Sequence, residues 1–167
     1  MTTAVSQTDF VISRVFDASR ERVWKAWTEA ESLARWWGPK GCTLRVVSLD
    51  VRPGGIFHYA MAFQSGREMF GRFVYREIVA PERQVFVTSF ADPDGGITRA
   101  PFSEKWPLEV LTVVTLDEHG GKTTLTLRST PVAASEAEQD AFHGMFDSMR
   151  QGFGGTFGQL VDYLAGR

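Results

Sequence analysis

Residues 23–41, VWKAWTEAESLARWWGPKG, carry apolar side chains at helical spacing twice in succession. In the second pattern the apolar face is made of Ala30, Leu33, Ala34 and Trp37. Gly38 and Pro39 follow at once, and this pair is typical of a helix end. Trp36 is out of phase with that face. The stretch therefore predicts two short helices, with Trp37 packed in the core and Trp36 pointing elsewhere.

Strand patterns flank these helices on both sides. Residues 9–16 alternate as a first strand, and residues 43–129 form alternating segments separated by Gly- and Pro-containing turns. In IFHYAMAF (residues 56–63) one face holds Phe57, Tyr59, Met61 and Phe63. His58 lies on the opposite face, where we expect it to be exposed to solvent. The order is one strand, two short helices, about six antiparallel strands and a long helix, which predicts an α+β fold.

The last helix pattern, FHGMFDSMRQGFGGTFGQLVDYL (residues 142–164), carries an apolar stripe. On a helical wheel the stripe spans an arc of about 120°; its members are Phe142, Met145, Phe146, Met149, Phe153, Phe157, Leu160 and Leu164. Such a stripe is typical of ordinary core, but phenylalanine and methionine are also suited to bounding an adaptable apolar space.

Five glycines lie off that stripe, and each weakens the helix. Two explanations are open. Glycine on the outer face would let a second surface approach closely, as in a homodimer, or a weak point near Gly154 and Gly155 would let the helix bend to admit a ligand. We favour bending, because Gly152 and Gly154 lie at the two margins of the stripe.

The bulk composition excludes several classes of function. The net charge is −2, and the chain has no run of basic residues, so we expect no nucleic-acid partner. Cys42 is the only cysteine and the three histidines are scattered, so we expect no metal site. The first ten residues lack the pattern of a signal peptide, and no segment has the length and apolarity of a membrane span. A cytoplasmic domain is expected.

Several motifs resemble one known family. They are VWKAWTEAESLARWWGPKG, LDVRPGG (residues 49–55), GRFVYREIVAPERQVFV (residues 71–87) and TTLTL (residues 123–127). In this order they resemble proteins similar to the C-terminal domain of the heat-shock protein 90 ATPase activator, a branch of the START-like (SRPBCC, helix-grip) superfamily. The resemblance implies one domain over residues 8–165. It also implies a curved antiparallel sheet of six to seven strands around the C-terminal helix, with an apolar cavity between them.

Members of that superfamily bind lipids, hormones or polyketides, so the resemblance implies a small-molecule site in the cavity. We expect its lining to include Phe57, Tyr59, Met61, Met145, Met149 and Phe153, with Trp36 near the mouth. The ligand is expected to be apolar or amphipathic, because a wall so poor in charge cannot compensate a buried ionic group. No metal, organic cofactor or catalytic residue is assigned.

Two other functions remain open at this point. One is a module that interacts with a chaperone, as the name of the family suggests; an exposed apolar patch on the outer sheet face would favour it. The other is a cyclase- or hydrolase-type enzyme that uses the same cavity, with Glu77 or Glu109 as its base. A titratable group pointing into the cavity would favour the enzyme, and an apolar lining would favour binding.

Overall fold

A computed structural model describes residues 9–166 of the chain. Thr8, the first residue of the predicted domain, lies outside this range, as do the first eight positions of the segment that lacks a signal-peptide pattern. Within it the strands are β1 Phe10–Phe16, β2 Thr43–Leu49, β3 Ile56–Ala62, β4 Glu68–Val79, β5 Arg83–Ala91, β6 Ile97–Thr98, β7 Val110–His119 and β8 Lys122–Pro131. The helices are α1 Arg20–Thr28, α2 Ala30–Trp36, α3 Glu136–Gly144 and α4 Phe146–Leu164.

The strands form one antiparallel sheet in the order β1-β8-β7-β5-β4-β3-β2, with the two-residue β6 paired to β5. Register shifts in β2, between Val46 and Ser48, and in β4, between Tyr75 and Glu77, mark β-bulges, which bend a strand and increase its twist. The predicted α+β class and the two short helices after the first strand are confirmed. The sheet has seven long strands and the short β6.

The pairing register assigns one row of side chains to the inner face of the sheet. Phe73 lies opposite both Phe57 and Thr88, and its ring stacks on that of Phe86 with centroids 4.0 Å apart. The same face continues through Thr112 of β7 and Leu127 of β8. The inner face therefore provides one side of the core, and α4 covers it.

Hydrogen bonds to two separate parts of the fold hold α4 in place. The Thr156 hydroxyl donates to the Gly38 carbonyl oxygen at 2.9 Å, and the Gln159 amide donates to the Trp36 carbonyl oxygen at 3.0 Å. On the other flank, the Arg150 guanidinium donates to the Val11 carbonyl oxygen in edge strand β1 at 3.1 Å. The helix is thus tied to the α2–β2 connection and to β1.

The C-terminal helical region contains a break that the helical pattern does not predict. The backbone of Met145 has φ −102° and ψ 4°, so α3 ends at Gly144 and α4 begins at Phe146. The glycine-rich segment around Gly154 and Gly155 remains helical. Arg14 donates to the Gly154 carbonyl oxygen, and a Cβ on Gly155 would lie in ordinary contact with Lys40, whereas a Cβ on Gly152 would meet no atom.

The predicted phase of the second helix is wrong. The buried residues of α2 are Ser32, Leu33 and Trp36, whereas Ala30 and Ala34 are exposed. An alanine buries little apolar area, so the indole of Trp36 and the side chain of Leu33 decide which way the helix faces. Because α2 ends at Trp36, the backbone of Trp37 is extended (φ −72°, ψ 143°) and its side chain leaves the helical pattern.

His58 does lie on the outer face of the sheet, but the expectation that it is exposed is wrong. Its side chain is buried beneath the turn at residues 92–96, and its Nε2 lies 3.2 Å from the Asp92 carbonyl oxygen. Arg72 donates to the Gly95 carbonyl oxygen of the same turn at 3.0 Å. The turn that leads into β6 therefore covers part of the outer face. Across residues 9–166 no helix combines the length and apolarity needed to cross a membrane.

Candidate functional site: an apolar cavity between the sheet and α4

A cavity of about 230 Å³ lies between the inner sheet face and the first half of α4. Its aromatic wall comes from β3, β5, α3, α4 and the connecting segments, and consists of Trp37, Tyr59, Phe86, Phe90, Trp106, Phe142 and Phe153. Met61 and Met149 complete much of the remaining surface. Rings and thioethers pack adaptably, so this wall suits an apolar molecule of variable shape.

A second pocket of about 350 Å³, more open to solvent, adjoins the first. The two share Trp37, Tyr59, Met61, Phe90, Met149 and Phe153, and the open one adds Gly38, Pro39, Gly152 and Thr156. The two spaces therefore adjoin along these shared residues. The open pocket, which we call the mouth, lies between the α2–β2 connection and the middle of α4.

The apolar stripe of the C-terminal region divides into two parts. Phe157, Leu160 and Leu164 are buried in the core, and the Phe157 ring meets that of Phe16 with centroids 6.1 Å apart. Met149 and Phe153 are only half-buried and face the cavity. The stripe thus combines both roles, with core packing in the second half of α4 and cavity wall in the first.

Four of the residues predicted as lining, Tyr59, Met61, Met149 and Phe153, do line the cavity. Phe57, Met145 and Trp36 do not. Phe57 is on the inner face but is fully buried against Tyr59 and Phe73. Met145 lies in the break between α3 and α4, so it does not follow the stripe.

The placement expected for Trp36 at the mouth is wrong. Its indole is 1% exposed and donates to the Ala26 carbonyl oxygen at 2.8 Å, which fixes it between α1 and α2. Trp37 takes the mouth position, because the end of the helix turns its side chain toward β3. The Trp37 ring meets those of Tyr59 and Phe73 edge-on.

Much of the wall does not follow from the sequence. β5, β7 and β8 contribute residues whose alternation is visible, but only the pairing register shows that they face the same space; they are Phe86, Thr88, Val110, Thr112, Leu127 and Ser129. Trp106 and Pro107 belong to an irregular segment without periodicity, so the sequence contains no signal for their orientation.

Tyr59 owes its position to a glycine on the neighbouring strand. It lies directly opposite Gly71, and a Cβ placed on Gly71 would be 2.5 Å from both Cζ and the hydroxyl oxygen of Tyr59. The phenol ring therefore lies across the glycine. Burial raises the pKa of Tyr59 to about 12, although a hydrogen bond with Trp37 acts in the opposite direction. The phenol remains protonated at neutral pH.

The segment that closes the inner end of the cavity is held by an ion pair. Trp106 packs on Phe142 with ring centroids 5.3 Å apart, and Arg99 donates both to the Trp106 carbonyl oxygen and to the Glu138 carboxylate. The Arg99 guanidinium, followed by the Ser135 backbone N–H, lowers the pKa of Glu138 below its ordinary value. Residues 99–107, which we name the closing segment, are thus attached to α3.

Charged groups are scarce around the cavity. Within residues 9–166 no carboxylate, imidazole or cationic side chain lines the inner space, and Tyr59 is its one ionisable residue. Glu77 pairs with Arg83 at 2.8 Å on the surface, and Glu109 is not part of the wall. The described residues also contain no group of three metal-ligating side chains. The arrangement can enclose an uncharged apolar body and offer hydroxyl groups to it.

Known proteins provide an independent comparison. A search of curated proteins found no match. Among solved structures, protein Ms6760 from Mycobacterium smegmatis is 24% identical, with a TM-score of 0.79, and the match covers 99% of this chain and 96% of that one. A protein from Arthrobacter aurescens is 26% identical, with a TM-score of 0.81 and coverage of 99% and 91%.

The AHSA1 protein from Silicibacter pomeroyi is 18% identical, with a TM-score of 0.72 and coverage of 94% of this chain and 97% of that chain. At such identities these likenesses establish the fold. The family model described as "Activator of Hsp90 ATPase homolog 1-like protein" matches residues 17–165, which include α1, α4 and almost all of the sheet. The chain belongs to the family of Activator of Hsp90 ATPase homolog 1-like proteins, of START-like fold.

Proposed function

We propose that this protein binds a small, uncharged, apolar or amphipathic molecule in the cavity between the sheet and α4. The observation that carries the proposal is the composition of the wall: seven aromatic rings and two methionines, without a charged side chain, around a space of about 230 Å³. An apolar cavity of ~150 Å³ already accommodates a benzene ring, so the inner space has room for about two rings, and the adjoining mouth offers space for a third.

The same wall gives less support to an enzyme. General acid–base catalysis needs a titratable group within hydrogen-bonding reach of the reacting atom. The candidate bases Glu77 and Glu109 are outside the cavity lining, and the Tyr59 phenol, with its pKa near 12, is a poor base at neutral pH. Binding without chemistry is therefore the function we prefer, and the proposal includes no cofactor.

A chaperone-interacting role also receives little support from the surface. The large exposed apolar side chains are spread over five strands and one connecting segment; they are Val15, Val47, Ile56, Val79, Ile97, Phe102 and Leu108. Part of the outer sheet face is covered by the turn over His58. A docking patch on that face would have favoured this role.

The proposal is tested with a neutral probe, N-phenyl-1-naphthylamine, whose fluorescence rises in apolar surroundings. We expect about one site per chain by titration calorimetry. Met149→Trp should weaken binding at least tenfold, because the indole would occupy space where the inner cavity meets the mouth. Gln151→Trp is the matched control, since it adds the same ring at an exposed position on α4.

Both variants should melt within a few degrees of the wild type, which excludes unfolding as the cause. If the folded Met149→Trp protein binds the probe as tightly as the wild type and Gln151→Trp do, the cavity is not the binding site and the proposal fails.

A further inference from the structure

Two hydroxyl groups interrupt the apolar wall at the inner end of the cavity. Thr112 of β7 and Ser129 of β8 lie directly opposite each other in the register and are only 4% and 3% exposed. Both line the inner space and neither lines the open mouth. Their oxygen atoms are 2.9 Å apart, so they share one hydrogen bond.

Counting protons shows that this bond leaves a donor unused. Each hydroxyl carries one proton and can both donate and accept. The shared bond consumes one of the two protons, and within residues 9–166 neither hydroxyl has another partner. Leaving a buried donor without an acceptor destabilises the folded protein. The remaining proton therefore needs an acceptor, which a ligand in the cavity can supply.

The other hydroxyl groups of the wall are in different situations. Thr88 donates to the Val110 carbonyl oxygen, so its proton already has an acceptor. The Tyr59 hydroxyl lines both the inner cavity and the open mouth, and accepts a hydrogen bond from Trp37. Water can reach the mouth and satisfy that phenol. Ser89 also borders the inner space and its hydroxyl is buried without a partner, but it lies opposite Arg72 in the register, on the outer face of the sheet. The Thr112–Ser129 pair is therefore the donor on the inner face that lines the inner space and not the mouth.

We infer that the ligand carries a neutral hydrogen-bond acceptor, such as a ketone, aldehyde, ester or amide carbonyl, which accepts from the Thr112–Ser129 pair while its apolar body lies among the aromatic rings. A carboxylate does not fit, because no cationic side chain among the described residues lines the cavity to compensate its charge. This inference rests on the proposed binding function and names the chemical class of its ligand.

Two probes of nearly equal shape separate the carbonyl from the apolar body: 2-acetylnaphthalene and 2-isopropenylnaphthalene, in which a methylene group replaces the carbonyl oxygen. In the double variant Thr112→Val/Ser129→Ala, affinity for the acetyl probe should fall roughly 3- to 10-fold relative to that for the isopropenyl probe. Each single substitution should have a smaller effect, because the hydroxyl that remains has its own proton to donate.

Thr88→Val is the matched control, since it removes a hydroxyl from the same wall whose proton is already bonded. It should change the ratio of the two affinities by less than twofold. Infrared spectroscopy gives a second measurement. The carbonyl stretch of the acetyl probe, labelled with carbon-13, should lie at the lower, hydrogen-bonded frequency in the wild type and in Thr88→Val, and should move to the free position in the double variant.

The outcomes distinguish this inference from the proposed function. If both probes bind and Met149→Trp blocks both, but the carbonyl stretch in the wild type lies at the free position, the inference is wrong and the binding function stands. The inference is also wrong if the double variant weakens both probes equally, or if Tyr59→Phe alone removes the preference for the carbonyl. If neither probe binds to the wild type, the proposed function itself fails. The wild-type spectrum keeps the test decisive even if the double variant does not fold.

Discussion

The position at which α2 ends decides which of two tryptophans lines the cavity. Trp36 and Trp37 are adjacent and chemically identical, yet one is 1% exposed in the core and the other stands at the cavity mouth. The difference arises because the helix ends between them and Trp37 adopts an extended backbone. A helical wheel that includes Trp37 as a helical residue wrongly places Trp37 in the core and Trp36 at the mouth. The ends of helices are difficult to locate from local sequence.

At the same scale, Gly71 determines the position of the Tyr59 ring. We expect Gly71→Ala to destabilise the protein by about 1–3 kcal/mol, because the new methyl group would overlap the phenol ring, and overpacked sites typically cost that much. The backbone of Gly71 does not require positive φ, so the clash with the ring is the source of the effect. Probe binding should weaken as well, since Tyr59 lines both the cavity and its mouth.

Urea unfolding of a double-mutant cycle checks this explanation. Tyr59→Leu shortens the side chain, so the double variant Gly71→Ala/Tyr59→Leu should be more stable than the two single changes predict by addition. Strictly additive free energies of unfolding would show that Gly71 acts through something other than the Tyr59 ring.

Among the elements, α3, α4 and the closing segment have different supports. α4 is bonded to β1 and to the α2–β2 connection, whereas the closing segment, residues 99–107, is attached to α3 through Arg99 and Glu138. The Ser135–Glu138 capping box joins the same carboxylate to the start of α3. Two elements around the cavity are candidates for motion. One is the part of α4 at the mouth, where glycines weaken the helix, and the other is the closing segment at the inner end, which depends on the ion pair between Arg99 and Glu138.

α4 is a continuous helix in the structure, but its glycines should lower the free energy needed to unfold it locally. Gly152, Gly154, Gly155 and Gly158 each disfavour a helix by roughly 1 kcal/mol relative to alanine. Amides of residues 152–158 should therefore exchange with solvent faster than those of residues 160–164, where the helix is packed in the core, and bound probe should slow them. Hydrogen exchange followed by NMR measures the exchange rates of the amides in both segments in one sample.

Replacing a glycine by alanine tests whether the glycines let α4 bend. Gly152→Ala meets no neighbouring atom, so it should raise stability, and it should slow probe entry because Gly152 borders the mouth. Uniform protection along α4 that does not respond to probe would contradict bending. It would leave close approach of a second subunit as the explanation for the glycines.

For the closing segment, the expected signature is a dependence on acid pH. Arg99 keeps the pKa of Glu138 below its ordinary value of 4.5, so the folded state favours the charged carboxylate. The contribution of this contact is present above that value and is lost as pH falls toward the lowered pKa. Protection of the amides in residues 99–107, measured as exchange relative to the intrinsic rate at each pH, should fall below about pH 4.5, and probe release should become faster.

Glu138→Gln should produce the same loss of amide protection at neutral pH. The amide oxygen of glutamine can still complete the capping box, so the variant removes mainly the charge that Arg99 recognises. Glu136→Gln, an exposed acid in the same helical turn, is the control and should behave like the wild type. If both variants give the same exchange pattern, the ion pair does not hold the segment.

For the molecule as a whole, the sequence predicts the architecture better than the cavity. Alternation and helical spacing are local properties, so the α+β class, the two early helices and the cavity-facing side of β3 follow from them. The wall depends on which strands are neighbours. Phe86, Thr112 and Ser129 face one space only because β5 pairs with β7 and β7 with β8. The orientation of Trp106 could not be predicted, because it lies between β6 and β7 in a segment without helical or strand periodicity.

The sheet also places the first strand of the chain beside the last, and this has a consequence for how the protein is made. β1 leaves the ribosome before the other strands and helices of residues 9–166, but its partner β8 and its cover α4 are among the last to be synthesised. Phe10 and Phe16, at most 1% exposed in the folded state, have nowhere to pack until then. A nascent chain thus carries an unpaired apolar strand through most of translation, which is a condition that favours aggregation. The part of the core that contains Phe10 and Phe16 cannot be completed before α4 has been synthesised, because their ring partners belong to that helix.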